Sequence, residues 1–225
     1  MEDLHFHIRD GINNKEELQK FINNGKNYGI NKFCMLEHGN RISPKHFGYL
    51  DSFTSIDEMN KSIDEIREDN QDVEILSGIE IDYSPDLEFR KRTIEIIEYG
   101  HFDLVIGGIH SFKFEDGKEY FNYVLDMIAS YPIDVIAHIK LRENWEEYKD
   151  LIENVIIEAS IKNIKIEINS SDRSLWNEEQ FEFMIDMILK HNASITCGSD
   201  SHHSNEMGTN YALVEKRLKK RGLLW

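Results

Sequence analysis

The chain has 225 residues, 40% hydrophobic and 11% aromatic, enough for one sizeable core in a single domain over 1–225. Twenty-six Lys and Arg face 42 Asp and Glu, a net charge of −16 that reads mainly as solvated acidic surface and argues against a nucleic-acid or anionic-membrane partner. There is no charged-then-apolar leader and no long apolar run, and Cys34 and Cys197 both lie in apolar runs as reduced, buried thiols, so the expected location is cytoplasmic.

The elements alternate between short apolar strands and amphipathic helices. Strands are expected at Asp3–His7, Lys32–Glu37, Glu74–Asp82, Asp103–His110, Ile133–His138, Ile164–Asn169 and Ser194–Asp200. Their starts recur about every 30 residues, with one gap of about 42 before the third, which is the length of a βα unit. Asn14 caps an expected helix over Lys15–Tyr28, with Leu18, Phe21 and Ile22 on one stripe and Gly29 as its stop. The long gap holds a loop through Ser43-Pro44 and a helix near Ser55–Glu68. Further helices are expected at Asp86–Tyr99, Glu119–Ala129 and Asn144–Lys162. Asn177 caps one over Glu178–His191, and a last one falls between about Gly208 and Arg221. Seven such units fit either a closed barrel or an open doubly wound sheet, and both place chemistry at the carboxyl ends of their strands. No Gly-x-Gly-x-x-Gly follows the first strand, which speaks against a dinucleotide site.

Every one of those strand ends carries an imidazole, a carboxylate or both. In order they read His5-Phe6-His7, Glu37-His38-Gly39, Gly78-Ile79-Glu80-Ile81-Asp82, Gly108-Ile109-His110, Ala137-His138, Glu167-Ile168-Asn169 and Gly198-Ser199-Asp200-Ser201-His202-His203. Strand residues two apart share a face, so His5 and His7 point the same way. Seven of the ten histidines fall at these ends; His46, His101 and His191 lie in loops or helix ends. A set of nitrogen and carboxylate ligands without thiolate suits Zn, Mn or Fe, and about nine potential ligands are enough for more than one ion. Clusters of that kind typically activate water for in-line attack on phosphorus.

In this order and combination the motifs resemble the PHP (polymerase and histidinol phosphatase) superfamily over essentially the whole chain, most closely its monofunctional histidinol-phosphatase-type members. The resemblance implies a distorted seven-stranded (β/α) barrel and a centre of two to three divalent metal ions. His5, His7, Glu80 and Asp200 would serve the first ion; Glu80, His110 and His138 the second; His38 and His202 the third. It also implies hydrolysis of a small phosphorylated substrate, histidinol phosphate at family level, which places the protein in histidine biosynthesis. Two departures stand out: Glu37 occupies a position where the family usually has Asp, and the further ligand expected after His-x-His meets only Asp10, Asn13 and Asn14.

A phosphate site also needs cations, and Arg142 and Arg173 each follow a strand end by four residues, at positions resembling phosphate-binding arginines of the family. Arg9 is a third candidate. Glu167 and Asn169 share a face and read either as substrate contacts or as groups that orient a metal ligand. Asp200 and His202 are the candidates for protonating the leaving oxygen. His203 reads as a neighbour of His202, Trp176 as either a mouth or a core residue, and Lys113, Asp116 and Gly117 as a polar loop near substrate. Other readings are a broad-specificity or protein-tyrosine phosphoesterase, a catalytically degenerate metal-binding member, or a C–N hydrolase barrel. The last is disfavoured by the absence of a lysine at a strand end.

Overall fold

The computed structural model describes residues 1–39, 50–110 and 114–223. The loop through Ser43-Pro44, His46, Ser111 and Lys113 lie outside those residues. Seven strands, β1 (Glu2–His7), β2 (Lys32–Gly39), β3 (Glu74–Asp82), β4 (Leu104–Gly108), β5 (Val135–Ile136), β6 (Lys165–Asn169) and β7 (Ile195–Gly198), form one sheet in sequence order. Each adjacent pair is parallel. Beyond β7 the sheet meets its own first strand: Asp200 N–H donates to His5 O at 2.7 Å and His7 N–H donates to Ser201 O at 2.8 Å. The result is a nearly closed (β/α) barrel, so the barrel, not the open sheet, is the architecture.

Seven helices pack outside it: α1 (Lys15–Asn27), α2 (Phe53–Asp69), α3 (Leu87–Gly100), α4 (Gly117–Ser130), α5 (Lys149–Ile161), α6 (Glu178–Lys190) and α7 (Tyr211–Lys220). Local chemistry sets their starts. Asn14, Asp86, Asp116 and Asn177 each accept a backbone N–H three residues on, and Ser52 and Ser55 form a reciprocal capping box. Burial sets their orientation: Leu18, Phe21 and Ile22 of α1 are at most 1% exposed, and each such side chain contributes about 1.5–3 kcal/mol.

The barrel interior has two layers. An apolar plug of Leu4, Cys34, Leu36, Leu104, Ile106, Val135 and Ala137 fills the lower part. Beyond Cys34 and Leu36, the next position on that face of β2 is His38, and the paired strand β3 carries Glu80 and Asp82. Both cysteines are buried and unlinked. No helix among the described residues is long and apolar enough to cross a membrane.

Three strands end earlier than the apolar pattern predicts, and side chains at their ends explain it. The backbone N–H of His110 turns to the Asp82 carboxylate, and that of His138 turns to Glu167, so neither continues a ladder. Asp200 adopts a left-handed backbone with φ 51°. The predicted Asn144–Lys162 helix is also corrected. Asn144 has φ 60°, Trp145–Tyr148 form a 3-10 turn, and α5 begins only at Lys149. The left-handed Asn144 cannot belong to a right-handed helix, and it turns Trp145 inward against Phe183.

Candidate metal centre

Glu80 is the hub of the barrel mouth. Its carboxylate is 1% exposed and is ringed by five imidazoles. Oε1 lies 3.0 Å from Nε2 of both His110 and His138 and 3.6 Å from Nε2 of His5. Oε2 lies 2.6 Å from Nδ1 of His38 and 3.5 Å from Nε2 of His7. Asp200 Oδ1 joins from the seam, 3.3 Å from His7 Nε2 and 3.7 Å from His5 Nε2. His202 stacks on His7 with ring centres 4.3 Å apart, and His38 stacks on the same ring at 4.0 Å. All eight metal-ligand candidates of the sequence therefore converge.

Three of these rings are backed by buried carboxylates through the other nitrogen. Glu167 Oε1 is 2.7 Å from His5 Nδ1, Asp82 Oδ1 is 3.5 Å from His110 Nδ1, and Glu37 Oε2 is 3.9 Å from His7 Nδ1. Of the three, the Glu167 contact is a hydrogen bond that holds its ring by one nitrogen and leaves the other facing inward, the arrangement usual for metal-ligating histidines, while Nδ1 of His7 and of His110 makes no hydrogen bond among the described residues. Glycines make room for it. A Cβ on Gly108 would lie 2.5 Å from His110 Cε1, and one on Gly198 would lie 2.3 Å from Glu167 Oε1.

The donor set fits divalent cations. His5 Nε2 and His7 Nε2 are buried without a hydrogen-bond partner among the described residues. Leaving such atoms unsatisfied is costly, and a cation removes the cost. Three groups bring one donor atom per residue within 4.8 Å of one another: His7, His38 and His202; His5, His7 and Asp200; His38, Glu80 and His110. The charges respond strongly to this crowding. Burial works against ionised Glu80, yet the rings of His110, His38 and His5 hold it well below the usual carboxylate range. Burial likewise opposes charge on His110, but Glu80 and Asp82 push it up to about 9. Asp200 is held low by His7 and His5 against its own burial.

The remaining predicted residues separate clearly. Arg173 is exposed and lines a cavity of about 460 Å³ with Asp200, His202 and His203, directly beside the cluster. Arg142 instead lies over the Phe114 ring at 4.1 Å, in a second cavity of about 550 Å³ walled by Tyr120, Trp145 and Tyr148. Arg9 is exposed just after β1, and its backbone N–H bonds to Glu37.

Glu167 and Asn169 lie below the mouth, bonded to their neighbours. They are 1% and 4% exposed, with Glu167 holding His5 and His138 while Asn169 bonds Glu167 and Ser171. The open alternative, orienting a ligand, is the one their geometry fits. Asp10 is 3.5 Å from His203, with both side chains 64% exposed, and Asn14 is consumed as the α1 cap. Trp176 is a core residue whose indole N–H donates to Ile139 O at 2.9 Å, and Asp116 caps α4 at Gly117. His101 and His191 stay away from the cluster, as expected of them: His101 caps α3 and His191 bonds Glu153.

Sequence reasoning passed over Asp82 and Lys140. The alternation of Glu80 with Asp82 on β3 signalled the first. Lys140 lies two residues past His138 and donates to Ile109 O at 3.2 Å. Burial and the nearby Arg142 lower its pKa, while Glu80, Asp82 and Asp200 act on it in the opposite sense. A lysine thus stands four residues past β5, with its ammonium on a backbone carbonyl.

A parallel β/α barrel with imidazoles and carboxylates gathered at its carboxyl-terminal mouth defines a protein of the barrel class with a candidate polynuclear metal centre. The PHP domain family model matches residues 3–171, and the chain belongs to that family. Among solved structures it is similar to the histidinol phosphate phosphatase of Lactococcus lactis subsp. lactis Il1403, complexed with zinc, L-histidinol and phosphate. The TM-score is 0.77 at 20% identity, covering 99% of this chain and 94% of that one. It is also similar to a putative histidinol phosphatase of Listeria monocytogenes, with TM-score 0.73 and 15% identity over 95% of this chain and 99% of that one. At these identities the likeness concerns the fold. No curated protein sequence matches the chain significantly.

Proposed function

We propose that this protein hydrolyses phosphate monoesters with the help of two or three divalent cations, zinc, manganese or iron, held at the strand ends. The observation that carries this reading is the convergence of five imidazoles on Glu80, with the buried Nε2 atoms of His5 and His7 facing it without a hydrogen-bond partner among the described residues. His5, His7, Glu80 and Asp200 would hold one ion, Glu80, His110 and His138 a second, and His38 with His202 a third. Bound there, divalent ions acidify water and offset phosphoryl charge. Arg173 supplies a fork-shaped cation from the neighbouring cavity to orient the phosphoryl oxygens. Asp200 and His202 line the same cavity and are the candidates for protonating the leaving oxygen.

Histidinol phosphate is the proposed substrate, on the strength of the family membership and of the ligands in the Lactococcus neighbour. Its amine and imidazole suit an acidic protein. The test is metal analysis of the purified protein with Mn- and Zn-supplemented assays on p-nitrophenyl phosphate and histidinol phosphate. Two to three ions with fast release from histidinol phosphate support class and substrate together. Ions with only slow release from the generic ester keep the class and reject the substrate. Ions with no turnover favour a degenerate, metal-binding member.

The different surroundings of the two arginines predict different effects. Arg173→Ala should raise KM by about 10- to 100-fold, the worth of one charge-assisted contact, with metal content unchanged. Arg142→Ala should change KM less, because its guanidinium lies on Phe114 in the other cavity. Equal losses in both variants would contradict this division.

A further inference from the structure

The carboxylate of Glu167 is fully buried and serves three donors on three strands. Oε1 faces His5 Nδ1 of β1 at 2.7 Å, while Oε2 accepts the backbone N–H of His138, just past β5, at 2.6 Å and the Asn169 carboxamide of β6 at 3.1 Å. Beside it, β7 has Gly198, where a Cβ would lie 2.3 Å from Glu167 Oε1 and 2.4 Å from His5 Cβ. The fourth strand thus has no side chain at the one place where it would block the pair.

We propose that Glu167 is a positioning residue that selects the tautomer of His5, keeping hydrogen on Nδ1 so that the Nε2 lone pair faces the cluster. The proposal rests on the metal reading above. An ionised carboxylate only accepts, so the ring nitrogen against it must donate. A neutral imidazole with hydrogen on Nδ1 has its lone pair on Nε2. That nitrogen is buried without a hydrogen-bond partner among the described residues, 3.6 Å from Glu80 and 3.7 Å from Asp200. The second oxygen of Glu167 fixes His138, whose φ of 26° is a left-handed conformation that non-glycine residues seldom adopt. One side chain therefore sets both the ring state of His5 and the backbone that presents His138.

The two donors at Oε2 make an isosteric test unusually sharp. In Glu167→Gln they claim the carboxamide oxygen, which leaves the NH2 group facing His5 Nδ1. That nitrogen must then accept, and the hydrogen moves to Nε2, where it blocks ligation. Volume and both Oε2 bonds are conserved.

The experiment is zinc titration by calorimetry of metal-stripped wild type and Glu167→Gln, paired with long-range 1H–15N spectra of zinc-loaded protein labelled in its histidines. The expected result is loss of one zinc equivalent, or weakening of one site by about 10- to 100-fold, the usual effect of removing such a partner. The His5 signal should pass from metal-bound Nε2 in wild type to protonated Nε2 in the variant. Circular dichroism of the metal-free forms should stay the same, which separates repositioning from general damage, while loss of the buried charge beside His5 lowers the melting temperature. Unchanged zinc affinity in Glu167→Gln overturns the proposal. So does a zinc-loaded wild-type spectrum with hydrogen on His5 Nε2, and this arm needs no variant to fold. Wild type that takes up no zinc, manganese or iron brings down the metal reading itself, a failure visible before any variant is compared.

Discussion

Replacing Glu80 with glutamine is expected to remove metal uptake and to lower kcat/KM on a phosphate monoester by at least about 10³-fold, roughly 4 kcal/mol of barrier. Among the described residues the carboxylate is the one group within 3.6 Å of five imidazoles, and its two oxygens face different rings. A carboxamide keeps the shape but loses the charge, and it offers a donor where cations should bind. Because both oxygens are engaged, two ions should be lost together, whereas His202→Ala, at the exposed edge, should cost one at most. The fold should survive, since the apolar plug below the cluster is untouched and the rings can shed their protons at slightly alkaline pH. Metal analysis, steady-state kinetics and circular dichroism of the same preparation decide it. Full metal content with full turnover would sink the proposed centre.

The second large effect is on stability, and its sign follows from the charges. His110 titrates at about 9 in the folded protein against 6.5 for a free imidazole, because Glu80 and Asp82 outweigh its burial. Stability from this pairing is complete below pH 6.5 and is lost as pH rises through 9. The shift corresponds to on the order of 3 kcal/mol, shared with Glu80 and not additional to it. His5 and His7 are shifted in the same direction. Glu80 acts oppositely: its contribution is present above the usual carboxylate value of 4.5 and is lost on acidification. Asp3, pushed up to about 6 by burial, makes the fold less stable as pH rises from 3.8 to 6, and this is finished before the histidine window opens.

The metal-free protein should therefore melt about 6–12 °C lower at pH 9 than at pH 6.5. Saturating ions should reverse the trend. Each ion at about 100 times its dissociation constant adds about 2.7 kcal/mol, and ligation takes over from the lost protons. Thermal scans at pH 6.5 and 9, with chelator and with Mn or Zn, check this. Identical profiles with and without chelator would contradict it.

Much of this architecture is legible in the sequence, because strand alternation reports which side chains share a face. His5 with His7, and the polar ends of the other strands, predicted the gathering at the barrel mouth. Alternation does not report depth. It put Glu167 and Asn169 on the inner face without showing that Glu167 lies beneath a ring 162 residues away and bonds to it. Nor does it show where a strand stops, because β4 and β5 end when Asp82 and Glu167 capture backbone N–H groups from other strands. Arg142 and Arg173 look alike in spacing, and the fold separates them, placing one on Phe114 in an aromatic cavity and the other beside Asp200 and His202. Lys140 was overlooked because its link to the centre runs through a carbonyl 31 residues away.

Beside side-chain bonds from Ser199 N–H to Asp3 and from Thr196 to Glu2, two backbone hydrogen bonds close the seam between the first and last strands, and both involve candidate ligand residues, His5 with Asp200 and His7 with Ser201. The clasp of the barrel and the cluster are thus the same object. An ion held by His5, His7 and Asp200 would rivet residues nearly 200 positions apart in the chain. In hydrogen exchange, the amides of His7 and Asp200 should be among the first to open in the metal-free protein and should slow most on loading. Cation supply would then govern how readily the cylinder uncurls, independently of any substrate.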